Sequence, residues 1–467
     1  MYINSIVFIF LYLPLFAGVY YLLKDKYKQA VLFLFSLLFY MLNSLSFMPF
    51  MFALMAMDII LGKKMSSGKA DKKTRVIMLI VGIAVNAAVL IFYKYIGELF
   101  GDVHPNNFFL NGLITFPIGL SFFVFKSISY LSDVYTGKIT PDRELIGDLL
   151  YLSFFPQIQS GPISRRSDMV FRGNSIVTVS EGIYRFMTGF CKKVLIADIL
   201  ALASNSIFDS DTSSISISCA WLAAICWSLE LYFDFSGYSD MAIGITKIFG
   251  YDCPENFEYP YTTDSASGFW RKWHITLGSW FRDYVYIPLG GSRCSKARCC
   301  FNLLIVWLLT GFWHGTSLNF IVWGLGHFAL ICFEKLTGLP KRIKSKFGKV
   351  LYRIIVLLEI NFLWVIFRCR DLKQGIGFIV SMVVPGEYSP MWDRRALYIL
   401  QNNKVFLIVG ILLCIPVVPL INKLCEKHKT FGTVVAVVRP VLIFTLFVLS
   451  LSFVVSGINN PFAYANF

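Results

Sequence analysis

The sequence predicts an all-α, polytopic membrane protein with about ten to twelve membrane helices. Two observations predict this fold class. Of the 467 residues, 56% are hydrophobic and 17% are aromatic, while 15% are charged, well below the roughly one quarter that is usual in soluble domains. The apolar residues also form long segments, many of them close to the ~20 residues that a membrane-spanning helix needs. The expected surroundings of the chain are therefore a lipid bilayer.

The apolar segments are candidate helices. The first of them lacks a preceding cationic region and is too long for the apolar core of a signal peptide, so it is interpreted as a membrane helix. Segments as short as 48–61 are candidates for re-entrant helices, and 373–385 is a candidate for an extra interfacial helix. In chain order the main candidates lie at 3–23, 30–47, 48–61, 76–96, 112–132, 183–208, 216–249, 301–318, 319–333, 351–368, 404–421 and 435–457.

The positive charge of the chain lies in short loops between these segments. Lys and Arg number 43, against 28 Asp and Glu. A nucleic-acid-binding protein would gather such an excess on one face of a folded domain, whereas cytoplasmic loops of membrane proteins carry it in this pattern. We therefore expect no nucleic-acid partner, cytoplasmic basic loops, and both chain ends outside. The basic loops are 24–28, 62–75, 291–300, 334–349 and 423–429.

Three carboxylates lie inside one apolar run, which reads SLELYFDFSGYSD over 228–240. They are Glu230, Asp234 and Asp240. Because an ionisable group at membrane depth is costly, each of these residues is a candidate functional residue. The alternative is that they are structural and accept hydrogen bonds from Arg side chains or from backbone groups freed near Gly237.

Residues 269–286 read FWRKWHITLGSWFRDYVY and predict an amphipathic helix at the membrane interface. Trp270 and Trp273 fall on its aromatic stripe, while Arg271 and Lys272 lie on the opposite side. His274 follows Trp270 by four residues and shares the aromatic stripe. A histidine in such a place is more often a satisfied core residue than a catalyst.

His314 is the stronger candidate for catalysis. It lies in LLTGFWHGTSLNF (308–320), where Gly311 and Gly315 flank the pair Trp313 and His314. An ionisable ring at membrane depth is expensive, and small neighbours would let a substrate chain approach the imidazole. His327, in WGLGHF, is interpreted as a packing or supporting residue.

The remaining histidines and the cysteines offer no metal site. His104 and His428 lie in predicted loops, where we expect them to be exposed. The 11 cysteines show neither a disulfide framework nor the ligand spacing of a zinc site. The chain also lacks the nucleophile elbow of serine hydrolases.

Two buried histidines without a metal narrow the possible reactions. A neutral imidazole can take the proton of a hydroxyl that attacks an acyl thioester, so acyl transfer to an alcohol fits best. An ion-coupled membrane transporter is the alternative from another class, because buried acids and a basic cytoplasmic face also suit a carrier. That alternative requires repeat-related halves, and the sequence has no such symmetry.

Three long motifs resemble the membrane-bound O-acyltransferase (MBOAT) family. They are LYFDFSGYSDMAIG (231–244), ENFEYPYTTDSASGFWRKWHITLGSWFRDYVYIPLGG (255–291) and LTGFWHG (309–315). The opening NSIVFIFLYLPL (4–15) extends the resemblance over nearly the whole chain. Within the family, the motifs are similar to the bacterial branch of alginate, peptidoglycan and exopolysaccharide O-acetyltransferases.

The resemblance implies an MBOAT-type helix bundle around a central tunnel. His314 matches the catalytic histidine of the W-H-G motif, and His274 matches a second residue that lines the tunnel. Over 1–467 we expect one integral membrane domain, with N-terminal helices (3–132), a catalytic core (133–333), C-terminal helices (334–457) and an extracytoplasmic tail (458–467). Tunnel-lining or supporting roles are expected for Trp313, Trp270, Trp273, Glu230, Asp234, Asp240 and His327.

The same resemblance implies the substrates and the location. The enzyme would hold no bound cofactor and would take its acyl group from a cytoplasmic donor, acetyl-CoA. The acceptor would be a hydroxyl of a cell-surface polysaccharide, reached through an extracytoplasmic SGNH-type partner, and the enzyme would lie in the bacterial cytoplasmic membrane. The alternative within this class is D-alanyl transfer to teichoic acid from a carrier protein.

The last residues, PFAYANF (461–467), resemble the aromatic acyl-relay tail F-x-Y-F-x-F of related systems. Tyr464 matches the tyrosine of that pattern, whereas Ala465 replaces its second Phe. A phenyl ester is activated compared with an alkyl ester, so its onward transfer to a sugar hydroxyl is downhill. The alternative is that the tail is an aromatic anchor at the membrane interface.

Overall fold

The computed structural model describes residues 1–96, 116–385, 391–457 and 462. Within these ranges the chain is almost entirely helical, with one isolated bridge between Phe171 and Tyr251 and no β-strand. The predicted all-α, polytopic fold is confirmed. By length and composition, eight stretches of the described residues can cross a membrane: Asp25–Ser66, Lys72–Tyr95, Ile217–Ile248, Lys296–His314, Leu318–Thr337, Lys346–Arg368, Arg394–Leu413 and Lys429–Val455.

This number of candidate spans is below the prediction of about ten to twelve, and the predicted segment 183–208 is not among them. The stretch Asp25–Ser66 is counted once, although it contains two α-helices, Asp25–Ser44 and Met48–Ser66. The apolar helices Phe8–Leu22 and Leu372–Val383 are shorter than a full span. The second of these agrees with the extra helix predicted at 373–385.

The chain forms two compact units. The first comprises Met1–Phe186 and Ser239–Glu255. Its helices pack through aromatic rings, since Phe16 stacks with Phe35 and Phe249 at centroid distances of 4.5 and 4.2 Å. The α-helices among the described residues of this unit are Leu13–Leu22, Asp25–Ser44, Met48–Ser66, Lys72–Ile91, Leu120–Thr136 and Ile146–Ser153.

The second unit comprises Met187–Tyr238 and Asn256–Ala463. It contains both candidate histidines, His274 and His314. Its α-helices are Ile199–Phe208, Ala266–Trp270, Ile275–Phe281, Lys296–His314, Leu318–Thr337, Leu339–Arg342, Lys346–Arg368, Leu372–Val383, Arg394–Leu413, Val417–Lys427 and Lys429–Val455, while Ile176–Cys191 and Ile217–Ile248 contain residues of both units. The single domain predicted from the sequence is not tested by this division and stays a prediction.

The helices Lys296–His314 and Leu318–Thr337 pack backbone to backbone. A β-carbon on Gly311 would lie 2.8 Å from the carbonyl oxygen of Phe320, and one on Gly324 would lie 2.7 Å from that of Trp307. Small residues allow this close approach in membrane helix pairs.

The side-chain space at Gly315 is also occupied. A β-carbon on Gly315 would lie 2.5 Å from the nearest ring carbon of Phe320. The expectation that Gly311 and Gly315 leave room for a substrate chain beside His314 is therefore wrong, because the following helix fills that space.

The predicted continuous helix over 269–286 is also wrong. The structure has a helix at Ala266–Trp270, a turn, a second helix at Ile275–Phe281 and a π-helix at Arg282–Tyr286. The break occurs at His274, whose φ of 45° and ψ of 54° are left-handed. A right-handed helix cannot continue through such a residue, so the four-residue spacing from Trp270 does not place the His274 ring.

The predicted helix at 404–421 is interrupted as well. One helix ends at Leu413, and the next begins at Val417, directly after Pro416. The basic segment 423–429 is largely helical, and His428 is exposed there as predicted. His104 lies outside the described residues.

Candidate active site

His314 is the last residue of the helix Lys296–His314 and is 4% exposed. Its ring meets those of Trp323 and Phe367 edge to face, at centroid distances of 5.0 and 4.9 Å. The neighbouring ring of Trp313 lies 4.5 Å away. The imidazole is therefore held in an aromatic cage at the end of a helix.

His274 is 3% exposed, and its ring centroid is 6.4 Å from that of Trp313. Its Nδ1 is 3.1 Å from Oδ1 of Asn256, and the Phe235 ring packs edge to face on the imidazole at 4.6 Å. Burial lowers the pKa of His274 to about 3, so its imidazole is neutral at physiological pH. The structure thus brings His274 and His314 to the same aromatic cluster, although their catalytic roles stay predictions.

His327 is fully buried among tryptophan rings. The rings of Trp270, Trp307 and Trp323 lie at centroid distances of 4.8, 5.3 and 5.2 Å. Its Nδ1 is 3.6 Å from a carboxylate oxygen of Glu359. These are packing contacts, and the supporting role of His327 stays a prediction.

A cavity of about 700 Å³ reaches His274. Trp270, Thr310 and Glu334 line it beside the histidine, whereas His314 is not among its lining residues. Four exposed basic residues also line this cavity and give it a positive potential. They are Arg271, Arg282, Lys335 and Lys341.

Glu334 fixes the start of the segment that carries Trp270 and His274. One carboxylate oxygen accepts hydrogen bonds from the backbone N–H of Ala266 at 2.7 Å and from the hydroxyl of Tyr352 at 2.9 Å. The other accepts from the backbone N–H and the hydroxyl of Ser267, at 2.9 and 2.7 Å. A carboxylate at this position satisfies backbone donors that the first turn of the helix leaves unpaired.

Two of the three predicted intramembrane acids have nearby polar partners in the second unit. Glu230 accepts a hydrogen bond from the Ser204 hydroxyl at 2.5 Å. Asp234 forms an ion pair of 2.6 Å with Lys193, which also pairs with Asp198 at 2.6 Å. These contacts favour the structural interpretation of both acids.

Asp240 belongs to the first unit and is also paired. Its carboxylate lies 2.6 Å from the guanidinium of Arg185, which also donates to both oxygens of Glu255. An arginine partner for one of the acids is what the structural alternative predicted.

Two predicted residues remain, Trp273 and Tyr464. Trp273 is 1% exposed, stacks on Phe269 at 5.4 Å and contacts Trp364 at 5.0 Å, but it does not line the cavity. Tyr464 lies outside the described residues, so the structure does not test its role.

Two residues of the site were missed by sequence reasoning, Asn256 and Glu334. Asn256 lies within the motif ENFEYP and could have been noticed there. Glu334 lies near the end of an apolar helix, at the start of a predicted basic loop. A carboxylate in such a place is expected to be solvated, so the sequence did not indicate a role in the site. Among the described residues, no group of three or more His, Cys, Asp or Glu could hold a metal ion.

Comparisons with known proteins agree with the motifs. The family model of the membrane-bound O-acyltransferases matches residues 142–372. A protein of Pseudomonas putida named "Probable alginate O-acetylase AlgI" is 37% identical over 84% of this chain and 82% of its own length. The peptidoglycan O-acetyltransferase of Helicobacter pylori is 33% identical over 81% of this chain and 79% of its own length. The chain belongs to the membrane-bound O-acyltransferase family.

Family membership makes this multi-pass membrane protein an O-acyltransferase, as the motifs predicted. A more distant relative is the teichoic acid D-alanyltransferase of Bacillus subtilis, which is 30% identical over 53% of this chain and 66% of its own length. The matched region 142–372 includes His274, His314, Asn256 and Glu334. The residues around the cavity therefore belong to the part of the chain that the family shares.

Proposed function

We propose that this enzyme transfers an acetyl group from cytoplasmic acetyl-CoA to hydroxyls of a cell-surface polysaccharide. It would act in the cytoplasmic membrane of a bacterium and pass the acetyl group to an extracytoplasmic SGNH-type partner. The proposal is supported by relatives named as alginate and peptidoglycan O-acetyltransferases, which align over more than four fifths of the chain. The D-alanyltransferase relative aligns over 53% and therefore favours D-alanyl transfer less.

The observation that carries the proposal is the positively charged cavity at His274. Its basic residues Lys335 and Lys341 lie in the predicted basic loop 334–349, and its residue Ser292 lies in the predicted basic loop 291–300. Both loops are expected on the cytoplasmic side, because basic loops are retained there. The phosphates of coenzyme A would pair with the basic residues, while the acetyl end would point toward the aromatic cluster that contains both histidines.

In this mechanism His314 acts as the general base. As the acceptor hydroxyl oxygen forms a bond to the thioester carbonyl carbon, its proton passes to the His314 imidazole. The carbon–sulfur bond then breaks, and the coenzyme A thiolate leaves with the proton that the imidazole returns. Such a base typically contributes ~10² to 10⁴ in rate.

The test uses liposomes that contain the full-length protein. Radiolabelled acetyl-CoA is added on the side of the membrane where the basic loops lie. We expect labelled O-acetyl ester on an added polysaccharide when the partner protein is supplied. A parallel sample with a D-alanyl-loaded carrier protein should give no ester. Transfer of D-alanine without transfer of acetate would overturn the proposal.

A further prediction concerns Tyr464 as an acyl relay. The last helix, Lys429–Val455, begins at the basic segment 423–429, so the tail that follows is expected outside. If the phenol carries the acyl group, Tyr464→Phe should abolish transfer to the polymer while leaving protein levels normal. Surface-polymer acetate is the measurement.

Tyr464→Ala is the matched variant. If the ring is only an interfacial anchor, Tyr464→Phe keeps normal acetylation and Tyr464→Ala alone weakens it. The described tail residue Phe462 is already anchored, because it is 1% exposed, contacts the Tyr238 ring at 4.8 Å and lies 5.0 Å below the Lys193 ammonium. Normal acetylation in the Phe variant would rule out the relay.

A further inference from the structure

Asn256 links three groups of the turn that carries His274. Its Oδ1 is 3.1 Å from Nδ1 of His274, 3.2 Å from the backbone nitrogen of Thr276 and 2.9 Å from the Thr276 hydroxyl. Its backbone carbonyl also accepts from the N–H of Ile275 at 3.0 Å. Asn256 is fully buried, so these contacts are shielded from water.

These contacts determine which way the Asn256 amide faces. The backbone nitrogen of Thr276 can only donate, so the amide atom facing it has to be the oxygen. The same oxygen faces Nδ1 of His274. Since an amide oxygen can only accept, Nδ1 has to carry the proton, and the neutral ring is then unprotonated at Nε2.

The Nε2 atom of His274 is therefore a hydrogen-bond acceptor. Within the described part of the chain it is buried and has no hydrogen-bond partner, while His274 lines the cavity. A buried acceptor without a partner is unfavourable, so in a native protein it calls for an explanation such as a catalytic role.

The backbone of this turn is also strained, and Asn256 stabilises the strained conformation. His274 is one of three non-glycine residues with positive φ among those described. A left-handed histidine is strained and persists only where its surroundings hold it. The hydrogen bonds from Ile275 and Thr276 to Asn256 lie directly after the strained residue and provide that support.

We infer that Asn256 is a positioning residue that holds His274 in the Nδ1–H tautomer, so that Nε2 accepts a hydrogen bond from an O–H or N–H group of the substrate in the cavity. This inference rests on the proposed function and deepens it. In this tautomer a neutral His274 cannot donate to the thioester carbonyl. The group that it accepts from belongs to the donor's pantetheine arm, which has amide N–H groups and a hydroxyl.

The first test reads the tautomer directly by ¹⁵N NMR. The chain has five histidines, so ¹⁵N-histidine labelling of the full-length protein gives few signals, and a His274→Gln variant identifies those of His274. We expect Nδ1 to be protonated and Nε2 unprotonated at neutral pH, with a mixture of tautomers in Asn256→Ala. A protonated Nε2 in the wild-type protein would overturn the inference.

The second test uses rescue by a conservative variant. Asn256→Asp keeps an oxygen that can accept from Nδ1–H and Thr276, whereas Asn256→Ala removes it. We expect Asn256→Ala to lose about 10²-fold in rate because the imidazole is misplaced. Asn256→Asp should be at least tenfold faster than Asn256→Ala. Equal activity of the two variants would contradict the tautomer role.

Asn319→Ala is the matched control, because Asn319 is also fully buried but donates only to the carbonyls of Ile366 and Cys369. It should retain transfer within a few fold. A rise in the KM for acetyl-CoA is expected in Asn256→Ala, because the pantetheine arm loses its acceptor, whereas a fall in kcat alone would contradict this assignment.

The two hypotheses fail in distinguishable ways. If the protein transfers no acetyl group although the NMR spectrum has the Nδ1–H tautomer, the proposed function fails and the role of Asn256 in setting the tautomer stands. If acetyl transfer is normal and the spectrum has Nε2–H, the inference about Asn256 fails while the proposed function stands.

Discussion

Replacing His314 with alanine is expected to lower acyl transfer by about 10² to 10⁴-fold, because the general base is lost. The ring is enclosed by Trp323 and Phe367, so alanine also leaves a void that destabilises the protein. His314→Gln retains more of the volume without the basic nitrogen and should be equally inactive. Acetyl ester formed per unit of membrane-inserted protein is the measurement.

His428→Ala is the control for this experiment. His428 is exposed at the junction of two helices, so its loss should leave transfer unchanged. Activity near the wild-type level in His314→Gln would remove His314 from the mechanism. His274→Ala should be less impaired than His314→Ala, and the opposite order would mean that the two histidines exchange roles.

Replacing Glu334 with alanine is expected to lower kcat by at least about 10²-fold, because displacement of a catalytic segment by about 1 Å has that effect. The substitution leaves the backbone N–H groups of Ala266 and Ser267 and the hydroxyl of Tyr352 without their acceptor. Glu334→Gln retains one acceptor oxygen but turns an amide NH₂ toward donors, so an intermediate rate is expected. Both kcat and KM for acetyl-CoA would be measured.

Glu258→Gln is the matched control. Glu258 forms an ion pair with Lys272 of the same turn at 3.6 Å, but its side chain is 66% exposed. Exposed ion pairs contribute about 0–1 kcal/mol, so transfer by this variant should be nearly normal. If Glu334→Ala were as active as Glu258→Gln, the carboxylate would have no role in holding the Trp270 segment.

The fold class could be predicted from the sequence because it depends on composition and on the lengths of apolar segments. The helix Lys296–His314 begins within the predicted basic loop 291–300 and ends at the predicted catalytic histidine. The bend at His274 could not be predicted in the same way. The aromatic spacing of 269–286 fits a helix, and nothing in its composition reports that one residue is left-handed.

The residues that hold the site could not be predicted because their contacts are long-range. Asn256 reaches His274 across 18 positions, and Glu334 reaches Ala266 across 68. Hydrophobic periodicity reports which face of a helix is buried, but it does not report which distant backbone donor a carboxylate will meet. The glycines beside His314 were misread for the same reason, since the Phe320 backbone and ring that fill their space belong to another helix.

The close contact at Gly311 and Gly324 constrains how the enzyme can move during turnover. With carbonyl oxygens less than 3 Å from where a β-carbon would stand, neither helix can slip along the other by a turn without lifting away. Any motion that admits or releases a substrate therefore has to keep these two helices in register.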